Sequence, residues 1–219
     1  MRRAGILVLA LALAACNAPP DLPKEPPPRA VAPAPAVPPI AAVVPPTIRK
    51  GAPSSLPSTY DRQIKAAVTR YGCAPDWHLW WGQLFQESRM DPDARSPAGA
   101  VGLAQFMPGT WDDMMASMAR GTASRTDADE SIERGCYYMA RLRRSWSSPR
   151  PEVDRHDLAM ASYNAGIGHI LNAQRACGGP LLYAPIMACL PQITGPVHSR
   201  ETLGYAPAIR RHAIRKAGS

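Results

Sequence analysis

Between residues 58 and 219, apolar stretches start after polar capping residues and end in short polar connections, and patterns typical of strands are nearly absent. Five such stretches predict helices, each with its own start signal. They are 62–71 after Ser58 and Asp61, 77–88 after Asp76, 111–119 after Thr110 with Asp113, 131–146 after Asp127 with Glu130, and 155–165 after Asp154.

Two further stretches, 181–190 and 200–216, also predict helices, although Pro185 and Pro207 should kink or shorten them. The roughly 160 residues from Ser58 to the end are enough for one compact domain and too few for two. The pattern therefore predicts a single all-α domain over residues 58–219.

The N-terminal residues predict export. Arg2 and Arg3 precede an apolar run, "AGILVLALALAA", that is too short for a permanent membrane span. The run ends in Leu-Ala-Ala before Cys16, which resembles a bacterial lipoprotein signal over residues 1–15 with Cys16 as the lipidated residue. An ordinary secretory signal with a chance cysteine is the alternative. Asn17 favours the outer over the inner membrane, so we expect a lipid anchor on the periplasmic side of the envelope.

Residues 16–57 predict a linker without a core of its own. The segment 17–57 carries 14 of the 25 prolines, interleaved with Ala and Val. Proline fixes φ and removes a backbone donor, so the segment favours a polyproline-like spacer, and at full extension it could reach ~130 Å. A disordered leader without a mechanical role is the alternative.

The charge of the chain favours anionic partners. The formal net charge is +8, and removal of Arg2 and Arg3 leaves 23 basic and 17 acidic residues, or +6. An exported protein meets little nucleic acid, so we expect no nucleic-acid partner and a cell wall with peptide carboxylates instead. A monomer is expected.

Four cysteines remain when Cys16 is set aside, and an even number in an oxidising compartment indicates two disulfides. Of the three possible pairings we favour Cys177–Cys189, which closes a short Gly/Pro loop, with Cys73–Cys136 joining two helices. Free thiols are the alternative. No Cys/His spacing is typical of a zinc site, and neither a metal nor a cofactor is expected.

One carboxylate has an unusual position. In the helix 77–88, the 3.6-residue period places Glu87 on one stripe with Trp80, Gln83 and Leu84. An apolar wall raises the pKa of a carboxyl group, so Glu87 could remain protonated near neutral pH and act as a general acid. The alternative is a solvated charge at the rim of the helix. The Pro/Gly-rich loop that follows predicts that Ser96 and Gln105 return toward the helix end.

Four motifs give these residues a context. "QESRMDPDARSPAGAVGLAQFMPGTW" (86–111), "ASYNAG" (161–166) and "ETLGY" (201–205) resemble, in order and spacing, the Glu-Ser, Gly-Leu-x-Gln, Tyr-Asn-Ala-Gly and final tyrosine motifs of the soluble lytic transglycosylase (SLT) catalytic domain. The sequence departs from the family at Met90, Ala104 and Ser162. The first two departures would reshape a sugar subsite, and Ser162 should matter little.

The resemblance implies a lysozyme-like fold and cleavage of the β-1,4 bond between N-acetylmuramic acid and N-acetylglucosamine, with a 1,6-anhydro product and glycan strands of peptidoglycan as the partner. Glu87 would be the single general acid and base. The implied substrate-binding residues are Ser96, Gln105, Tyr163, Asn164 and Tyr205.

Each implied role has an alternative. Tyr163 and Tyr205 could be core aromatics, Asn164 a helix cap, and Ser96 and Gln105 loop residues only. The tryptophans are expected in the core, and the nearby Asp91 and Asp93 are expected to cap the loop. For the whole protein the alternatives are a goose-type lysozyme-like hydrolase and a lipoprotein that binds peptidoglycan without cleaving it.

Overall fold

The computed structural model describes residues 56–119 and 121–219. The predicted signal peptide 1–15, the lipidation site Cys16 and the linker up to residue 55 lie outside the described residues. Within these two ranges eight helices follow one another: α1 Asp61–Tyr71, α2 Trp77–Ser88, α3 Pro108–Met118, α4 Ala128–Ser145, α5 Glu152–Ala165, α6 Ile167–Ala176, α7 Tyr183–Ala188 and α8 Leu190–Ala217.

The all-α prediction is confirmed. Within the described ranges the extended pairing consists of two isolated antiparallel bridges, Arg95 with Val101 and Val101 with Phe106. No helix in this part of the chain is both long and apolar enough to cross a membrane. The helices surround one apolar core, to which four of the five tryptophans contribute buried side chains: Trp80, Trp81, Trp111 and Trp146.

Two of the predicted helix starts are confirmed by side-chain caps. The Asp76 carboxylate accepts from the His78 backbone N at 2.9 Å, and the Asp127 carboxylate accepts from the Glu130 backbone N at 3.0 Å. Each carboxylate satisfies a backbone donor that the first helical turn leaves free.

Three predicted starts are wrong. No side chain caps α1, which begins at Asp61 itself, so the Ser58–Asp61 capping box does not form. Helix α3 begins three residues before the predicted stretch, with Pro108 in its first turn, and α5 begins at Glu152, after Pro151. At α3 and α5 a proline precedes the polar residues that we used as start signals, and its fixed φ suits a first turn.

One helix was not predicted, and one extends further than predicted. Gly166 adopts φ 85°, which ends α5 and leads directly into α6. Helix α8 begins ten residues before the predicted stretch and is interrupted at Gly195, with φ 79° and ψ 160°. The helix continues through Pro207, so the predicted kink there is wrong.

Helices α2 and α8 approach each other closely at Gly82. A Cβ atom at this position would lie 2.7 Å from the backbone oxygen of Ile209 and 3.1 Å from the backbone N of Ala213. Only a residue without a side chain permits this spacing. The contact holds the middle of α2 against the C-terminal half of α8.

Both predicted disulfides are present. Cys73 pairs with Cys136, which joins the segment after α1 to α4, and Cys177 pairs with Cys189, which joins the end of α6 to the start of α8. In the chain-entropy model, closing loops of these lengths stabilises the fold by about 4 and about 3 kcal/mol respectively.

Candidate active site

Glu87 lies in the last turn of α2, half-buried. The other three residues of its stripe are almost completely buried: Trp80 and Gln83 are 1% exposed and Leu84 is 0% exposed. The helix period therefore places the carboxylate at the point where the apolar face of α2 reaches the surface.

The Tyr205 hydroxyl donates a hydrogen bond to the Glu87 carboxylate. Tyr205 is 4% exposed, and its pKa is raised well above the usual value by burial and by the charge of Glu87. The phenol therefore stays protonated and remains a donor over the whole physiological range. The side-chain amide of Gln83 also lies close to Tyr205 and lowers its pKa, in opposition to the larger effects.

The pKa of Glu87 is raised to about 7, first by burial and then by the negative charge of Glu201. The hydrogen bond from Tyr205 lowers the pKa but does not cancel the cost of desolvation. A carboxyl group with a pKa near 7 is populated in both protonation states at neutral pH. It can therefore donate a proton and take one back, as a general acid and base must.

The loop between α2 and α3 is fixed by hydrogen bonds within itself. Ser96 Oγ accepts from the Ala100 backbone N at 3.0 Å, and Gln105 Nε2 donates to the carbonyls of Ala94 at 3.1 Å and Gly102 at 2.9 Å. The predicted site residues Ser96 and Gln105 thus hold the loop's backbone, and their contact with a sugar stays a prediction.

Gly102 allows this loop to pack against the chain before α4. Its φ is 85°, and a Cβ atom there would lie 1.9 Å from the backbone oxygen of Arg125. On the next turn of the loop, the Ala104 backbone N donates to Ser131 Oγ at 3.1 Å. The Gly-Leu-x-Gln segment is therefore held against the chain around α4 at Gly102 and at Ala104.

Tyr163 connects the loop to the surroundings of Glu87. Its hydroxyl donates to the Ala104 carbonyl at 2.8 Å, and its ring contacts Trp80 edge-on with the centroids 6.4 Å apart. Burial and the charge of Glu87 raise the pKa of Tyr163 well above its usual value. Tyr163 is half-buried, so it both packs and borders the site.

Asn164 belongs to a polar cluster with two α8 residues. Its Nδ2 donates to Glu201 Oε1 at 3.0 Å, and its Oδ1 accepts from Thr202 Oγ1 at 2.7 Å. Gly166, and not Asn164, is the C-cap of α5. The cluster fixes the exposed Glu201 carboxylate beside Glu87.

Glu201 is the functional candidate that we missed in the sequence. It lies four residues before Tyr205, within the "ETLGY" segment, and α8 is helical there. That spacing places both residues on the same face of α8. The helix period alone could therefore have placed Glu201 beside the Tyr205–Glu87 contact.

Several neighbouring residues have structural roles. Asp91 and Asp93 are exposed, and Asp91 Oδ1 accepts from the Asp93 backbone N at 2.9 Å, so the pair forms the predicted turn. The side chains of Met90 and Ala104 lie in the hydrophobic core, and their effect on a sugar subsite stays a prediction. Ser162 Oγ is buried and accepts from Trp146 Nε1.

A metal cluster is not found in the described part of the chain, and a cavity lies away from Glu87. The described residues contain no group of three or more His, Cys, Asp or Glu side chains that could hold a metal ion. A cavity of about 460 Å³ opens between the end of α1, α4 and α5, and none of its lining residues belongs to the predicted site. Its lining includes Arg143, Arg144 and Arg155.

Residues 77–180 match the family model described as the transglycosylase SLT domain. This segment is therefore similar to a transglycosylase SLT domain. The matched residues include Glu87, the loop and Tyr163, whereas the contact from Tyr205 comes from α8, beyond the match.

Curated proteins are similar to this chain. The membrane-bound lytic murein transglycosylase F of Erwinia tasmaniensis is 33% identical over 148 residues, which cover 65% of this chain and 29% of that protein. The protein of the same name from Salmonella arizonae is 32% identical over 149 residues, which cover 66% of this chain and 28% of that protein. The chain thus spans less than a third of the length of either relative.

Solved structures share the fold of this chain. An inactive mutant of the lytic transglycosylase Slt from Pseudomonas aeruginosa superposes with a TM-score of 0.58 at 21% identity, over 74% of this chain and 24% of that chain. The 70 kDa soluble lytic transglycosylase of Escherichia coli superposes with a TM-score of 0.59 at 22% identity, over 74% and 25% of the two chains.

Proposed function

We propose that this protein is a peptidoglycan lytic transglycosylase that cleaves the β-1,4 bond between N-acetylmuramic acid and N-acetylglucosamine. The observation that carries the proposal is the environment of Glu87: a carboxyl group at the edge of an apolar helix face, held by Tyr205, with its pKa raised to about 7. The names of the curated relatives support the same reaction.

In the proposed reaction Glu87 first acts as an acid. Its proton passes to the glycosidic oxygen while the bond from that oxygen to the anomeric carbon of muramic acid breaks. The oxygen of the substrate's N-acetyl group stabilises the positive charge that develops at this carbon, in place of a second carboxylate.

Glu87 then acts as a base. The muramic acid 6-hydroxyl attacks the anomeric carbon and its proton passes to the Glu87 carboxylate, which restores the acid. The product is a 1,6-anhydro sugar and no water is consumed. A group with a pKa near the working pH suits both steps.

The remaining site residues would position the substrate and the acid. Tyr205 holds the Glu87 carboxylate, Tyr163 and Asn164 border the site, and Ser96 and Gln105 shape the loop that meets the N-acetyl sugar. Misplacement of a reacting group by ~1 Å can lower a rate about a hundredfold, so residues that only fix geometry still matter.

A second function has a specific observation in its favour. The Glu201 carboxylate is close enough to Glu87 to raise its pKa. Conventional glycosidases use two carboxylates, one of which activates a water molecule. In a goose-type lysozyme-like hydrolase, Glu201 would take that role and the product would carry one more water.

Mass spectrometry of purified sacculi digested by the protein tests the proposal. We expect muropeptides one water lighter than the hydrolysis products, and for Glu87→Gln a folded protein whose activity is lower by about two to four orders of magnitude. Hydrated products would favour the hydrolase, and undiminished turnover by Glu87→Gln would contradict the acid and base role. Wall binding without any product would indicate a binding protein.

We further propose that the enzyme acts on the periplasmic side of the envelope and is anchored in the outer membrane by lipid on Cys16. The two relatives are named membrane-bound, which supports association with a membrane. Radiolabelled fatty acid incorporated by the wild type and absent from Cys16→Ala would support the anchor. Equal labelling of both would contradict it.

A further inference from the structure

A basic cluster lies just beyond the end of α2. Arg89 follows the helix, its Nη1 atom is 3.3 Å from His212 Nε2, and its guanidinium lies over the Phe85 ring at 4.9 Å. His212 Nε2 is also 3.1 Å from Gln86 Oε1. These contacts attach the C-terminal half of α8 to the end of the helix that carries Glu87.

Two more arginines of α8 surround His212. Burial together with the charges of Arg89, Arg215 and Arg211 lowers the pKa of His212 to about 4, and Arg215 also lowers the pKa of Arg89. Three guanidinium groups are thus close enough to act on one imidazole. The basic cluster is defined as Arg89, Arg211, His212 and Arg215.

Within the described ranges, no carboxylate forms an ion pair with any arginine of the basic cluster. Some neighbouring cations do have such partners: Arg210 pairs with Asp157, and Lys216, one residue after Arg215, pairs with Asp61. Arginines without an ion pair also occur elsewhere in the described ranges, Arg62 and Arg144 among them. What marks the basic cluster is that three such arginines lie close to one imidazole.

Helix ends explain only part of this arrangement. A helix C-terminus carries a partial charge of about −0.5, which favours a single nearby cation. Arg89 at the end of α2 and Arg215 in the last turn of α8 have that benefit. Arg211 does not, and clustering of all three arginines costs repulsion that an anionic ligand would relieve.

The basic cluster is within reach of a substrate held at Glu87. Tyr205, which contacts Glu87, and His212 are seven residues apart on α8, which places them on the same face and about 10 Å apart along the axis. About three residues of extended peptide span that distance. Guanidinium groups bind carboxylates by two parallel hydrogen bonds, so peptide carboxylates suit the cluster.

We propose that the basic cluster binds carboxylates of the peptide attached to muramic acid, so that the enzyme favours glycan that still carries its peptides. This inference rests on the proposed function, because it assumes that glycan occupies the site beside Glu87. The cluster would act on binding of the substrate and not on the chemical step.

Arg211→Gln/Arg215→Gln tests the inference, since both substitutions suit an exposed helix and avoid the left-handed conformation of Arg89. Arg62→Gln/Arg144→Gln removes two exposed arginines from α1 and α4 and serves as the matched control. Two substrates are compared: sacculi-derived strands that retain their peptides, and the same strands after an amidase has removed the peptides.

On peptide-bearing strands we expect kcat/KM of the α8 variant to fall about three- to tenfold, through KM, because two exposed ion pairs are lost. On stripped strands the α8 variant should match the wild type, and the control should match it on both substrates. An equal fall on both substrates, or no fall on either, would overturn the inference.

Co-sedimentation with the two kinds of strand separates this inference from the proposed function. Weaker binding of the α8 variant to peptide-bearing strands alone would support the basic cluster as a peptide site even if the wild type released no anhydro product. In that case the proposed transglycosylase activity would be wrong, and the basic cluster would still be supported as a peptide-binding site. Equal binding of the variant and the wild type to both kinds of strand would overturn the inference.

Discussion

At the scale of single residues, three influences determine the pKa of Glu87, two that raise it and one that lowers it. Burial raises the pKa, the Glu201 charge raises it further, and the Tyr205 hydrogen bond lowers it. Because the two neighbours act in opposite directions, substitutions at these positions should shift the pH dependence of the reaction in opposite directions. The two shifts share one mechanism and can be measured in one assay.

Tyr205→Phe removes the donor that stabilises the ionised form of Glu87, so the pKa of Glu87 should rise. Glu201→Gln removes the negative charge while its amide oxygen can still accept from Asn164, so the pKa of Glu87 should fall. In pH profiles of kcat, we expect the alkaline limb to move to higher pH in Tyr205→Phe and to lower pH in Glu201→Gln.

Both substitutions should lower kcat less than Glu87→Gln does, because each leaves the acid in place. Shifts of the alkaline limb in the same direction would show that the limb does not report on Glu87. If Glu201→Gln abolished the reaction and the wild-type products were hydrated, Glu201 would be a catalytic base and the hydrolase would be the better description.

At the scale of helices, the site depends on the distance between α2 and α8. Glu87 comes from one helix and Tyr205 from the other, and Gly82 permits their close approach. The sequence could place Glu87 on its stripe from helix period alone. It could not show that Gly82 faces a backbone oxygen, because that depends on which helix packs there.

Gly82→Ala should therefore destabilise the fold and lower activity. The added methyl group meets backbone atoms, which cannot rotate away, so we expect a loss of about 1–3 kcal/mol and a fall in the melting temperature of roughly 2–4 °C for each kcal/mol in a domain of this size. Activity should fall further than stability at the assay temperature explains, since Tyr205 is displaced from Glu87.

Gly168→Ala is the matched control. Gly168 is also helical, in α6, but no atom lies within 4 Å of the Cβ that would be added. Alanine has the higher helix propensity, so this variant should be as stable as the wild type or more stable by up to about 1 kcal/mol. If both variants behaved alike in differential scanning calorimetry, the close contact at Gly82 would not be important.

Helix boundaries show where sequence patterns were sufficient and where they were not. The side-chain caps of Asp76 and Asp127 are local, and both were predicted. The start of α8 depends on a break at Gly195, and α6 follows α5 after one glycine, which is a connection too short to be recognised as a turn. Those features are determined by packing of neighbouring helices.

For the whole molecule, an acid with a raised pKa costs stability. The pKa of Glu87 is about 7 in the folded protein against an ordinary value of 4.5. Between these values the unfolded chain releases its proton first, so the free energy of unfolding falls as the pH rises from 4.5 to 7. Below pH 4.5 and above pH 7 this contribution is constant.

Glu87→Gln should therefore gain stability relative to the wild type as the pH rises through this range, by about 1.4 kcal/mol for each unit of the pKa shift. The comparison is made by urea unfolding at several pH values. Buried His156, whose pKa is lowered to about 3, gives the opposite slope below its ordinary pKa, but it is present in both proteins and cancels in the difference. A difference independent of pH would contradict the raised pKa.

The most direct test of the account is a titration of Glu87 itself. The side-chain carboxyl carbon is followed by ¹³C NMR from pH 4 to pH 9, with its signal assigned by its absence in Glu87→Gln. We expect a midpoint near pH 7 in the folded wild type. A midpoint near the ordinary value of 4.5 would mean that Glu87 is ionised at neutral pH and cannot serve as the acid.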